Sequence, residues 1–208
     1  MPGIHILTLS TPHNSIILES IVNIHASCIL NDHTMATFIP PLSYERMYDR
    51  WNTFLHETAS ARRMIIVSLA TVSSRQVRER QADLEPPFGS DWPTLPEPDL
   101  EVSAVISLSM PDSETGPFRA LVQNRFVHPL HRRKGSATAL ISELEKQALA
   151  CNRWRLMLDT TVGTPAERMY EKLHWIRLGV VSDYGFSPED GSLLDEVWFW
   201  KDLRSRVA

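Results

Sequence analysis

Cysteine is scarce: the 208 residues hold two, Cys28 and Cys151, with no CxxC spacing and no histidines at zinc-finger distances from them. Both are expected as buried or half-buried thiols, as a reducing compartment permits. Basic charge is not in excess either, since 21 Lys and Arg face 25 Asp and Glu for a formal charge of −4 at pH 7. A nucleic-acid binder carries a net basic face, so that partner class is not expected. No run reaches the ~18 uninterrupted apolar residues of a membrane span. The opening MPGIHILTLSTPHN lacks the basic flank and the apolar core of a secretory signal. The expectation is a cytoplasmic protein with neither metal nor membrane partner.

What is there has the composition of an ordinary globular protein, and its length corresponds to one domain, 1–208. A chain of this size buries roughly 70% of the surface its unfolded form exposes, so it needs no staples. Ile4–Ser10 reads as a strand. Asn14 or Ser15 is the expected cap of a helix with Ile17, Ile21, Ile24 and Cys28 on one face. Ser43 is expected to cap a second helix, whose stripe is Tyr44, Met47, Trp51, Phe54 and Leu55. MIIVSLATV (64–72) is a near-continuous β-branched run, as in a strand buried on both faces. Residues 73–99 lose all periodicity and carry prolines at 86, 87, 93, 96 and 98. They are expected to form a surface insert within the domain, with Phe88 and Trp92 packed locally.

Beyond the insert, Val102, Ala104, Ile106, Leu108 and Met110 alternate, which predicts a strand with one buried face. RALVQNRFV (119–127) completes a hairpin with it. A helix over 134–150, a strand RLMLDTT (155–161), a short helix opened by Pro165 and two aromatic-rich strands follow. The order β-α-α-β-(insert)-β-β-α-β-α-β-β predicts an α/β (α+β) fold, a mixed sheet with helices on its faces.

The chemistry concentrates in FVHPLHRRKGSATALI. A strand ends at Val127, Pro129 breaks it, and a basic run enters a helix through Gly135. Small residues there let a ligand approach the backbone closely. The first N–H groups of a helix have no partners within it and carry the positive end of its dipole. With Arg132, Arg133 and Lys134 beside them they make a cradle for a pyrophosphate. The spacing is neither the GxxxxGK[ST] of a P-loop nor the GxGxxG of a dinucleotide fold.

Arg132-x-x-Gly135-x-Ala137 resembles the R/Q-x-x-G-x-G/A signature of the GNAT superfamily of N-acetyltransferases. PAERMYEKLHW is similar to the family's second motif, with Met169 for Leu, His174 for Gly and Trp175 for Phe. The PLS loop, the LDT strand and the ending GVVSDYGFSPEDGSLLDEVWFWKDL resemble the tabtoxin-resistance-type small-molecule acetyltransferases. The resemblance covers nearly the whole chain outside the insert. It implies a mixed, mostly antiparallel twisted sheet whose fourth and fifth strands splay apart to admit the pantetheine of acetyl-CoA. Phe126 and Val127 would offer backbone groups to the pantetheine. The loop from Arg132 through Arg133, Lys134, Gly135, Ser136 and Ala137 to Thr138 would hold the pyrophosphate. A main-chain N–H near Val127 would stabilise the tetrahedral oxyanion.

An amine of pKa near 10.4 is only about 0.1% neutral at pH 7.4, so acetyl transfer needs a proton acceptor. Asp159, at a strand end facing the gap, is the candidate base. The alternative is a structural cap at that strand end. Tyr170 matches the helix tyrosine that the family places near the CoA sulfur, and so is the candidate donor to the departing thiolate. Its position on an apolar stripe also suits a core residue with a satisfied hydroxyl. His128 and His131 are expected at the surface, and His174 is expected to rearrange the chain after its helix. Members of the branch often carry an acid on the fourth strand; Leu121 stands there. Acceptor contacts are expected from Phe38, Asp32 and the 183–195 turn. The implied reaction is direct transfer of acetyl, in a ternary complex, to the amine of a small molecule such as an amino-acid-like compound, antibiotic or toxin, and no cysteine lies in either motif to serve as a covalent carrier. A protein N-terminal or lysine acetyltransferase and a non-catalytic acyl-CoA sensor are the alternatives. The aromatic last strand fits a monomer or a homodimer.

Overall fold

The computed structural model describes residues 2–71, 86–89, 91–96 and 100–206. Seven strands form one sheet in the order β1-β2-β3-β4-β5-β7-β6. These are β1 (Gly3–Leu7), β2 (Arg63–Thr71), β3 (Leu100–Ser109), β4 (Arg119–Val127), β5 (Arg155–Thr161), β6 (Ile176–Phe186) and β7 (Leu193–Asp202). Every pairing is antiparallel except that of β4 with β5. Four α-helices intervene among the described residues: α1 (Asn14–Asp32), α2 (Tyr44–Thr58), α3 (Ser136–Ala150) and α4 (Pro165–Lys172). The element order agrees with the sequence reading, and so does the alternation of fold layers behind it.

The helices cover both faces. Ile65, Val67 and Val105 pack with α1 and α2 on one side. Met64, Ile66, Ile106 and Leu108 pack with α3 on the other. This overturns the one-sided reading of β3, nine of whose ten residues are buried. The clean alternation was misleading because the pairing of β2 with β3 skips Ser103, a bulge that carries Val102 to the face opposite Ala104.

Local signals mostly explain the helix ends. Ser43 Oγ accepts from the Arg46 N–H at 3.3 Å, the expected cap of α2. α1 is different: His13, in a left-handed conformation, precedes it with no side-chain cap. Asn14 instead donates to the carbonyls of Thr8 and Leu9 at 2.9 and 3.1 Å, tying the helix start to the end of β1. No helix among the described residues is long and apolar enough to cross a membrane.

Residues 73–85, 90 and 97–99 of the expected insert lie outside the described residues. In the rest of it, 86–89 and 91–96, Gly89, Asp91, Thr94 and Pro96 are exposed, but the aromatic residues turn inward. Trp92 is 4% exposed within the α1–α2 core, its ring centroid 4.1 Å from that of His128. Phe88 packs edge-on to Tyr44, and its N–H donates to Asn23 Oδ1 at 3.1 Å. Both aromatics were expected to pack locally; Trp92 instead reaches the main core, where a buried aromatic ring contributes strongly to stability. Cys28 is buried as expected, whereas Cys151 is exposed.

The strand pair that matters most is β4 with β5. Only Arg119, Ala120 and Leu121 pair, with Arg155, Leu156 and Met157. Beyond them the strands part, and the remaining edge of β4 has no strand partner on that side.

Candidate active site

A cleft of 1020 Å³ opens where β4 and β5 separate. Its β4 wall is kinked: Asn124 and Arg125 together stand opposite Ile106 of β3, and Asn124 has a φ of 52°. Such a bulge turns backbone groups out of the ladder. Phe126 and Val127 follow it and line the cleft. Among the expected loop residues, Arg132, Arg133, Gly135, Ser136, Ala137 and Thr138 also line it, while Lys134 is exposed and does not.

The loop geometry suits an anion. Arg133 and Gly135 have φ of 63° and 83°, and no side chain caps the start of α3. The first internal bond of the helix is Ala139 N–H to the Gly135 carbonyl at 3.0 Å, which leaves the N–H groups before it open to a ligand. A Cβ on Gly135 would meet nothing within 4 Å, so the space over the helix start is vacant and only the backbone conformation demands glycine. Arg132 is held by Asp32, its Nη1 and Nη2 donating to the two carboxylate oxygens at 2.6 and 2.5 Å. Asp32 lines the cleft, and its pairing with Arg132 fixes this loop to the end of α1.

His128 and His131, expected at the surface, are 2% and 6% exposed. His131 bonds Glu101 beneath the loop, and His128 Nδ1 accepts from the Leu130 N–H at 3.1 Å. The partner Glu101 lies 30 residues away in sequence, so no local pattern announced it.

Tyr170 is 4% exposed, packed against Trp175 and Phe199, yet it lines the cleft. Arg125 Nε donates to its hydroxyl oxygen at 2.9 Å, so the phenolic hydrogen is free to point elsewhere. The turn behind it is firm. Trp175 N–H bonds the Tyr170 carbonyl at 3.0 Å and His174 N–H bonds that of Glu171 at 3.0 Å, a Schellman closure. His174 takes the left-handed position, at φ 61°, that glycine usually fills. No rearrangement follows; the histidine carries the strain.

Asp159 lines the cleft from β5, and burial raises its pKa. Beside it stands a group that sequence reasoning missed, Glu196 of β7, 2% exposed. Burial first, and then the Asp159 charge, push the Glu196 carboxyl up to about 8. Thr161 Oγ1 donates to its Oε1 at 3.0 Å, and its Oε2 has no donor among the described residues. Two carboxyls in mutual contact, Glu196 buried and Asp159 half-buried, cannot both ionise cheaply, which favours a proton on Glu196. Its only sequence signal was an acid within the apolar run of β7. Tyr184 of β6 faces the pair, its pKa raised by burial and by both acids.

A carboxyl whose pKa is raised on folding binds its proton more tightly in the folded state. Folding therefore loses stability as pH rises from about 4.5 to about 8 through this group. Glu196→Gln, which keeps the Oε1 acceptor, is expected to gain stability over wild type between pH 5 and 9. Urea midpoints at the two pH values check this; an equal difference at both would contradict it.

Phe38, expected to contact the acceptor, lines the cleft, its ring centroid 5.7 Å from that of His25. His25 Nδ1 accepts from Trp51 Nε1 at 3.2 Å, which leaves its Nε2–H to donate to the Ala36 carbonyl at 2.8 Å. Burial holds this ring neutral, with a pKa pulled down to about 4, so it pins the α1–α2 loop without charge. That loop crosses to β6. Met35 sits so close on Gly185 that a Cβ there would overlap the sulfur, and His33 Nε2 lies 3.6 Å from Glu189 Oε1.

The family model of the Acetyltransferase (GNAT) family matches residues 72–175. The chain belongs to that family. It is an acyltransferase of the acetyl-CoA-dependent kind. Solved structures agree on the fold. A GNAT superfamily phosphinothricin acetyltransferase from Sinorhizobium meliloti in complex with acetyl-CoA is similar at a TM-score of 0.63 and 19% identity, over 96% of this chain and 88% of that one. A ribosomal-protein-alanine N-acetyltransferase from Brucella melitensis is similar at 0.65 and 14%, over 95% and 99%. An N-acetyltransferase from Staphylococcus aureus Mu50 is similar at 0.64 and 15%, over 97% and 99%. The splayed β4 and β5, the bulge and the glycine turn into α3 are thus features of an acetyltransferase. Among the described residues no group of three or more His, Cys, Asp or Glu is arranged to hold a metal ion.

Proposed function

We propose that this acetyltransferase moves acetyl from acetyl-CoA directly to the amine of a small molecule. The observation that carries the reading is the roof over the acceptor side. Met35 against Gly185 joins the α1–α2 loop to the β6–β7 hairpin, where a protein substrate would need an open groove for a peptide. The vacant space above Gly135 and the uncapped start of α3 suit the pyrophosphate. Backbone groups of Phe126 and Val127, on the strand edge that β5 leaves free, suit the pantetheine.

The groups needed for the reaction flank this edge. Asp159, in the pair with Glu196, is the proton acceptor for the incoming ammonium. The single negative charge of the pair also draws that cation in. Tyr170 is the donor to the departing sulfur, and Arg125 at its oxygen favours the negative charge that develops there. A sensor that only bound acyl-CoA would have no use for a carboxyl pair in contact and a phenol lining one cleft. Cys28 is not a carrier, because burial pushes its thiol up to about 12 and leaves it protonated.

Thiol release from acetyl-CoA, measured with a panel of small amines and with peptides bearing free N-termini or lysines, tests the reading. Release dependent on a small amine, with the acetylated amine found by mass, is the expected result. Turnover of peptides alone would replace it with the protein-acetyltransferase reading. Binding of acetyl-CoA without turnover of any amine would leave the sensor.

A further inference from the structure

Along β4 the side chains change faces part-way. Val122 packs with α3 and Tyr170 of α4, yet Phe126, four residues on, packs with α1 and α2. Strict alternation would keep both on one face. The bulge opposite Ile106 makes the exchange, and its effect falls on Arg125. In step with Gln123, Arg125 would stand on the side where Gln123 meets Arg63. It stands instead against α4, where Nε donates to the Tyr170 hydroxyl at 2.9 Å and Nη1 lies 4.0 Å from Met169 Sδ.

The protein itself makes little use of the charge brought there. Arg125 is half-buried, and among the described residues no carboxylate forms an ion pair with it. Beside its Nη groups stands a thioether sulfur, one of the weakest acceptors a side chain offers. Arg125, Met169 and Tyr170 all line the cleft. A guanidinium with no counter-ion and with donors to spare, on the wall of a cleft, is suited to an anion. In acetyl transfer one anion develops beside Tyr170, on the departing sulfur.

We propose that Arg125 is a binding site for the thiolate of coenzyme A, pairing with the sulfur as it departs and keeping it ionised in the product complex. The proposal rests on the reading above, in which Tyr170 stands at the departing sulfur. It goes further by making the product a bound anion rather than a thiol. As the C–N bond of the amide forms, the C–S bond breaks and its electron pair goes to sulfur. The two protons that nitrogen gives up pass in turn to Asp159 and on to solvent. The sulfur, held by the guanidinium and by a hydrogen bond from Tyr170, takes up a proton only on leaving the site. Charge matters here because an ordinary thiol of pKa about 8.5 is only about 3% ionised at pH 7.

The test needs no acceptor. Calorimetry compares CoA with desulfo-CoA, in which hydrogen replaces the thiol, across pH 6–9. A site that prefers the thiolate lowers the pKa of the bound thiol. The affinity ratio of CoA to desulfo-CoA therefore rises with pH and levels off above about 8.5, where free CoA is itself ionised. The plateau is expected at roughly 10–100-fold, the range for a hydrogen bond to a charged group. The ultraviolet difference spectrum between the two complexes should show a thiolate band already at pH 7.5. In Arg125→Gln the ratio falls toward one at every pH, and Arg125→Lys recovers part of it. Acetyl-CoA, whose thioester is neutral, should bind Arg125→Gln nearly as well as wild type, whereas a purely structural role would weaken all three ligands alike. A wild-type ratio near one at pH 9, or a ratio that Arg125→Gln leaves intact, would overturn the proposal. Either result leaves the small-amine reading standing, since that reading is decided by the acceptor panel.

Discussion

Asp159→Asn is expected to lower kcat by roughly 10²–10⁴-fold at neutral pH, the range for loss of a general base. The substitution keeps the shape of the side chain and removes its basic oxygen. It also removes the like charge that helps raise Glu196, so the remaining carboxyl becomes a weaker base. The defect has a direction in pH. More of the acceptor amine is neutral without help as pH rises toward 10, so the variant approaches wild type there. A pH–rate series with a saturating amine checks this. Near-normal rates with the wild-type profile would make Asp159 a structural residue at the end of β5.

Tyr170→Phe is expected to cost roughly 10²-fold in kcat, with little change in acetyl-CoA affinity. Only a hydroxyl leaves, and the ring keeps its contacts with Trp175 and Phe199. Arg125 Nε loses its acceptor, so part of the effect reflects a displaced guanidinium. Comparing acetyl-CoA with a thioester of a more acidic thiol separates the two. A donor to the leaving group matters less when the thiolate leaves easily, so the defect should shrink. A fully active Tyr170→Phe would show that solvent serves the thiolate.

How much of this was legible depended on how local each signal was. The glycine turn into α3 needs only neighbouring residues, and the strand, loop and helix around Gly135 could be read directly. Tyr170 was singled out by the resemblance of its helix to the family's second motif, against a stripe that pointed to the core, and Asp159 by its place at the end of the LDT strand. Glu196 did not, because it meets Thr161 only through the register of β7 on β5, 35 residues apart. Arg125 and Tyr170 lie 45 residues apart, and their bond depends on a bulge in β4 that no spacing reveals. The same distance problem hid Glu101 as the partner of His131 and Trp92 as the ring against His128. Composition misled at Trp92, where surrounding prolines suggested a surface segment although the indole is part of the core. In β3, side-chain alternation could not report that helices cover both faces.

The central claim is that the turn from Arg132 to Thr138 binds acetyl-CoA with backbone N–H groups and the start of α3. Calorimetric titration of acetyl-CoA into wild type and Gly135→Asp tests it most directly. Aspartate would project a side chain into the vacant space over the helix start and set a like charge against the pyrophosphate. It must also adopt a φ of 83°, a local strain of order 1–3 kcal/mol that the rest of the fold can carry. The account predicts a variant that still folds cooperatively and has lost acetyl-CoA binding by at least an order of magnitude. Equal affinities in the two proteins would contradict it.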